Sequence, residues 1–236
     1  MLRDSSGLAA IGAAARSELL DRAAEHALQK VYPRRHPGQR WREREHTRLH
    51  NLLGKWLDTE AQRTAFRVEQ IEQESQVATF SGIDFRVRID RVDSLADGAR
   101  LLIDYKTGSV AADWRGERPD NPQLPIYALL QPANLVAVAD GSVYAAKLEF
   151  VAESERRDLF KPGKRISQLE GQPNFPALID IWRARIEKLA ADFATGRAEV
   201  APTFKACASC DLQGLCRVPG ALDAEDDDEG EGDGDE

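Results

Sequence analysis

Leu101-Leu102-Ile103-Asp104-Tyr105-Lys106-Thr107-Gly108 is a short apolar run that ends in an acid, an aromatic, a lysine and a Thr-Gly turn. Side chains alternate along a strand, so Asp104 and Lys106 share one face. At a strand end this sets a hard oxygen ligand beside a cation. The pair suits divalent-metal hydrolysis of a phosphodiester, with the carboxylate holding Mg²⁺ and the ammonium steadying the attacking water or the developing charge. A surface ion pair at a strand end is the other reading of the octet.

The residues upstream extend the pattern. Ile83, Phe85, Val87 and Ile89 alternate with Asp84, Arg86, Arg88 and Asp90 until the phase changes at Val92. Ser94 to Arg100 contains Asp97-Gly98, a strong turn signal, so an antiparallel hairpin is predicted. Asp90 lies fourteen residues before Asp104, and a hairpin register brings the two close enough to share a metal. On the opposing reading, Asp90 and Asp93 pair with Arg88 and Arg91 on a solvated face. Two acids and a lysine converging on one hairpin favour the site.

In this order, Arg88–Asp93 (RIDRVD), Leu101–Gly108 (LLIDYKTG) and Gln123–Ala128 (QLPIYA) resemble the PD-(D/E)XK nuclease superfamily in its RecB/AddB-like branch. Phe193–Arg217 (FATGRAEVAPTFKACASCDLQGLCR) resembles the iron–sulfur closing segment of the same branch. The resemblance covers roughly residues 66–217. It implies an α/β fold, a restriction-endonuclease-like mixed central sheet flanked by helices. It also implies Mg²⁺- or Mn²⁺-dependent DNA cleavage in repair or recombination, with Asp90 and Asp104 as metal-binding acids and Lys106 as the catalytic lysine. Tyr105 would lend its backbone carbonyl to the metal, and Gln123 and Tyr127 would support the site and the DNA strand. Glu72 is the best match to an acid on the preceding strand, with Glu69 and Glu74 as neighbouring alternatives.

Two features depart from the family pattern. Its first motif, a His or Glu on an early helix, has no clear counterpart. His46 and His50 share a face four residues apart, although a lone helical His is more often a surface or core residue. The cysteines are Cys207, Cys210 and Cys216, spaced C-x2-C-x5-C, with no fourth. Thiolates so spaced can wrap one soft metal centre, zinc or iron–sulfur, whereas an odd count argues against a disulfide framework. The resemblance favours a [4Fe–4S] cluster with its fourth ligand from outside the chain, and inert thiols are the alternative. Both departures lead to the expectation of a C-terminal part of a larger protein, or a homologue shortened at its front, with a helicase region or subunit as partner. A nuclease-like DNA-binding module without turnover, or a zinc-bearing structural module, are the rival functions.

Composition permits these readings. With 236 residues, 42% of them hydrophobic, the chain can bury one sizeable core. The net charge of −8 arises in residues 223–236, where ten acids and no base occur, while the rest carries 30 acids against 32 bases. Such a tract cannot bury apolar surface and is predicted to be disordered. No signal peptide or membrane-spanning run is evident, so a cytoplasmic protein without a membrane partner is expected.

The chain is expected to divide into a helical region at 1–60, a nuclease-like domain with its cysteine segment at 61–217, and an acidic tail at 218–236. Within it, strands run from Phe66 to Lys106, a helix follows from about Pro122, and a strand covers Ser142 to Phe150. A long helix from Pro176 to Thr195 sets Leu178, Trp182, Ile186, Leu189 and Phe193 on one stripe. Lys30 and the arginines at 34, 35, 40, 42, 44 and 48, interleaved with Tyr32 and Trp41, suit a single nucleic-acid strand or equally an exposed helix face. Arg156, Arg157, Lys161, Lys164 and Arg165 form a second basic patch.

Overall fold

The computed structural model describes residues 4–32, 38–72, 76–108, 110–131, 133–145, 147–160, 165–200, 202, 207 and 210–216. The acidic tail, Glu74, Arg34, Arg35, Lys161 and Lys164 lie outside the described residues. The chain divides into two compact units, Met1–Ala194 and Thr195–Glu236.

The first unit opens with helices α1 (Ser5–Ala10), α2 (Ala13–Val31) and α3 (Gln39–Glu60). Strands β1 (Phe66–Ile71), β2 (Gln76–Phe80), β3 (Ile83–Val87), β4 (Arg91–Leu95) and β5 (Arg100–Lys106) follow. Helix α4 (Gln123–Leu130) leads into β6 (Leu135–Tyr144), β7 (Lys147–Ser154), β8 (Arg165–Ser167) and the long helix α5 (Phe175–Ala194). Six strands make one mixed sheet in the order β1-β4-β5-β6-β7-β8, and β2-β3 form a separate hairpin. Strands β4 and β5 are the expected antiparallel hairpin, whereas β5 and β6 are parallel. A parallel pair cannot be joined by a tight turn, and α4 provides the crossover.

Each face of the sheet has its own core. Leu101 and Ile103 of β5 join Phe66, Ala137, Ala139, Phe150 and, from α3, Trp56. The alternate residue Leu102 joins Val92, Val138 and Val151 beneath α4 and α5, with Tyr127, Leu178 and Trp182. The run Leu101–Ile103 is therefore apolar throughout because a central strand is buried on both sides.

Three expectations are corrected. The period-two stretch is broken between β3 and β4, so the residues before and after Arg88–Asp90 belong to different sheets. The single strand expected from Ser142 to Phe150 is two, β6 and β7, paired antiparallel with Tyr144 opposite Lys147. On α5, Leu178, Trp182 and Ile186 are buried, but Phe193 is 78% exposed, and Ala190 takes its place in the core. At 100° per residue Phe193 still lies within the arc of Leu178, Trp182 and Ile186, so its exposure marks where the packed surface ends along the helix, not a turn off the buried face.

Pro125 is the third residue of α4, with Pro122 at the cap. First-turn amides have no intrahelical partner, so a proline there breaks no helical hydrogen bond. Among the described residues no helix is long and apolar enough to cross a membrane.

Candidate active site

Register brings the predicted site together. Arg91 pairs with Ile103 across the β4–β5 hairpin, which sets Asp90 alongside Asp104. The Tyr105 amide donates to Asp90 Oδ2 at 2.9 Å. Asp104 and Lys106 lie on the face of β5 covered by α4, and Lys106 Nζ contacts Asp104 Oδ2 at 2.6 Å. The first turn of α4 presents Gln123 to the pair. Its Oε1 accepts from Lys106 Nζ, while its Nε2 donates to Asp104 Oδ1 at 2.9 Å and to the Tyr127 hydroxyl at 2.6 Å. Only the carbonyl oxygen can accept from an ammonium and only the amide nitrogen can donate to a carboxylate, so these partners fix the amide's orientation.

Asp104 is 2% exposed. Its carboxyl is held above the ordinary range by burial, which outweighs the hydrogen bond and charge of Lys106. Burial works against the Lys106 ammonium, but the Asp104 hydrogen bond and charge, with Asp140 and Tyr127, hold its pKa above the usual lysine value. Lys106 is thus charged at neutral pH. Burial also raises the Tyr127 phenol, against the Gln123 hydrogen bond.

Asp140 escaped the sequence reading. It sits on β6 directly across from Asp104, 3% exposed, and its Oδ1 is buried without a hydrogen-bond partner. Burial, opposed by Lys106 and reinforced by the charges of Asp104, Asp113 and Asp90, pushes its carboxyl up to about 7. The signal was present: Leu135–Ala139 is an apolar run ending in an acid, as Leu101–Ile103 is before Asp104.

The opposite face clamps the residue between Asp104 and Lys106. The Tyr105 hydroxyl accepts from Arg91 Nη1 at 2.7 Å, and Arg91 Nε contacts Asp93 Oδ1 at 2.6 Å. Arg63 bridges Asp93 at 2.8 Å and Glu60 at 2.7 Å. All three of Glu60, Arg63 and Asp93 are buried. The Arg91–Asp93 pairing exists, but inside the protein rather than on a solvated face. A Cβ at Gly141 would come within 3.1 Å of both Trp56 and Tyr105, so glycine is what lets these rings pack against β6. With its ring anchored, Tyr105 fixes its two neighbours on the far face.

The remaining candidates go elsewhere. His50 Nδ1 contacts Asp21 Oδ1 at 2.8 Å and His46 Nε2 lies 3.3 Å from the Asp21 carbonyl, so both turn to α2. Glu72 donates its amide to the Asp90 carbonyl at 2.8 Å, but its carboxylate lies 3.4 Å from Arg88. Glu69 pairs with Arg100. In the N-terminal basic stretch Arg42 pairs with Glu25 and Arg48 with Glu45, while Tyr32 and Trp41 stack edge to face at 5.1 Å. Arg156 pairs with Asp97 and Asp158.

In the second unit a helical turn, α6 (Gln213–Cys216), holds the last cysteine. Cys207, Cys210 and Cys216 are not joined in disulfides, the Cys210 amide donates to the Cys207 carbonyl at 3.2 Å, and the Leu212 amide donates to Cys210 Sγ at 3.3 Å. Three thiols are one short of the four a [4Fe–4S] cluster takes, so the segment does not fit that cluster by itself.

Among the described residues no group of three or more His, Cys, Asp or Glu is arranged to hold a metal ion. At the β4–β5 hairpin Lys106 and Gln123 take both oxygens of Asp104. The donors nonetheless suit a hard divalent ion. They are carboxylates from β5 and from the residue just before β4, beside an orphaned buried oxygen at Asp140. Mg²⁺ takes one or two carboxylates and keeps much of its water, so it needs no three-ligand cage.

Among curated proteins no sequence matches the chain. A family model does match, across residues 3–217, and its fold is the mixed sheet and flanking helices described above: the chain belongs to the PD-(D/E)XK nuclease superfamily.

Proposed function

We propose that the chain is a Mg²⁺- or Mn²⁺-dependent DNA nuclease of the RecB/AddB-like kind, acting in repair or recombination. Nucleases of this superfamily generally use divalent metal ions. The reading rests on one observation above all: Asp104 and Lys106 of β5 and Gln123 and Tyr127 of α4 form one hydrogen-bonded cluster, to which the Tyr105 amide ties Asp90 from just before β4.

Asp90 and Asp104 would hold the cation, and the backbone carbonyl of Tyr105, the residue after Asp104, would be a further oxygen ligand. When bound, such an ion supplies Lewis-acid polarisation of a phosphodiester oxygen. Hydrolysis adds a water oxygen to phosphorus and breaks the P–O bond to one neighbouring sugar. Lys106 carries a fixed positive charge at the place where negative charge grows on the phosphate, and it orients the water for attack. Gln123 holds Lys106 through Oε1 and Asp104 through Nε2, and the Tyr127 hydroxyl holds the Gln123 amide in that orientation. The cysteine segment offers three of four cluster thiolates, so an iron–sulfur centre requires a ligand from outside these residues. A helicase partner and exonucleolytic action rest on the family resemblance alone.

The test is cleavage of end-labelled single- and double-stranded DNA with Mg²⁺ or Mn²⁺. Wild-type activity that vanishes with EDTA and in Lys106→Ala and Asp104→Ala is expected. DNA binding without cleavage under any divalent ion would favour the rival reading of a binding module.

A further inference from the structure

We propose that Asp140 is a third carboxylate of the cation site, acting with Asp90 and Asp104 from the β6 side; this rests on the cation-site reading above. Strands β5 and β6 are parallel and in register, with Asp104 opposite Asp140 and Lys106 opposite Ser142. Neighbouring strands lie about 4.8 Å apart and opposed residues share a face, so the two acids stand side by side beneath α4. The charges of Lys106, Asp104, Asp113 and Asp90 all act on Asp140.

A purely structural role does not account for the residue. Its predecessors on β6, Ala137, Val138 and Ala139, are fully buried and apolar, and a valine would continue that core. Asp140 instead carries a buried Oδ1 that no donor satisfies. Burying an unpaired carboxylate oxygen is costly, and native proteins keep such atoms mainly where function uses them. Nor is Asp140 required as the lysine's counter-ion, because Lys106 Nζ already contacts Asp104 and Gln123.

The charges point the same way. Asp90, Asp104 and Asp140, with Asp113 also acting on Asp140, outnumber the one ammonium of Lys106, and the surplus negative charge is what a divalent cation neutralises. Mg²⁺ and Mn²⁺ tolerate few direct carboxylates and keep part of their hydration shell. Asp140 therefore contributes its charge, and a free acceptor for that shell, without completing a preformed cage, in keeping with the absence of a three-ligand group among the described residues. Outer partners of this sort typically change metal affinity by about 10–100-fold.

The experiment is calorimetric titration of Mn²⁺ into the full chain, with Asp140→Asn, Asp140→Ser and, as a control for the cation site itself, Asp104→Asn. Thermal unfolding of each is recorded in EDTA. Asp140→Asn is expected to weaken Mn²⁺ binding about 10-fold or more while melting in EDTA at or above the wild-type temperature. The serine variant decides the matter if the asparagine variant folds poorly. Wild-type Mn²⁺ affinity in both Asp140 variants, with loss in Asp104→Asn, would overturn the assignment of Asp140 alone. No Mn²⁺ binding by the wild type would overturn the cation-site reading and this inference with it.

Discussion

The Tyr105 amide donates a hydrogen bond to Asp90 Oδ2 at 2.9 Å, tying the backbone between Asp104 and Lys106 to the acid that precedes β4. Asp90 thus has two tasks, an acceptor for β5 and a negative charge beside Asp104. Asp90→Asn keeps an acceptor and removes the charge, whereas Asp90→Ala removes both. Both variants are expected to lose DNA cleavage by about 100-fold or more, and only the alanine variant to lose about 1 kcal/mol of stability in urea unfolding. Wild-type cleavage by Asp90→Asn would remove Asp90 from the site.

Gln123 and Tyr127 act in series, since the Tyr127 hydroxyl accepts the hydrogen bond that orients the Gln123 amide. Gln123→Ala is expected to lower kcat by about 10–100-fold with little change in KM, and Tyr127→Phe by less than about 10-fold. Steady-state kinetics on a labelled oligonucleotide distinguishes the two. A larger effect at Tyr127 than at Gln123 would mean that the phenol meets the substrate directly.

Arg63 is the centre of the buried network behind Tyr105, contacting both Glu60 and Asp93. Arg63→Ala leaves two carboxylates buried with an unpaired deficit of positive charge. The expected cost is about 3–5 kcal/mol in urea unfolding followed by circular dichroism. A loss below about 1 kcal/mol would show that water reaches the network.

Asp140 gives stability a pH dependence in the metal-free protein. Its folded pKa, about 7, stands above the ordinary 3.8. The unfolded chain therefore gives up this proton first, so the contribution is fully present below about pH 4 and is lost as pH rises through 7. Asp104, also raised, adds to the same trend. In EDTA the urea midpoint of the wild type is expected to fall between pH 5 and pH 7.5, and Asp140→Asn to reduce that slope. Parallel slopes in the two proteins would contradict it.

The hairpin around Asp97-Gly98, the shared face of Asp104 and Lys106, and the position of α4 were all legible from spacing, because period-two alternation and turn chemistry are local properties. β6 was not legible over its whole length. A central strand covered on both faces carries a continuous apolar run, so Leu135–Ala139 gave no alternation from which to read a strand. With that strand went Asp140. The histidines illustrate the converse: four-residue spacing put His46 and His50 on one face, but only packing determined that this face meets α2 and Asp21.

The sequence by itself determined which residues could carry the chemistry, since acids, a lysine and a Gln-x-x-x-Tyr helix are written in order along the chain. Only the tertiary structure decided that Asp140 stands beside Asp104 and that Arg63, Arg91 and Glu60 anchor Tyr105 behind it. Strand pairing between β5 and β6 and the closure of α3 over the sheet join residues more than thirty positions apart. No local pattern encodes such contacts; they follow from burying two faces of one sheet at once.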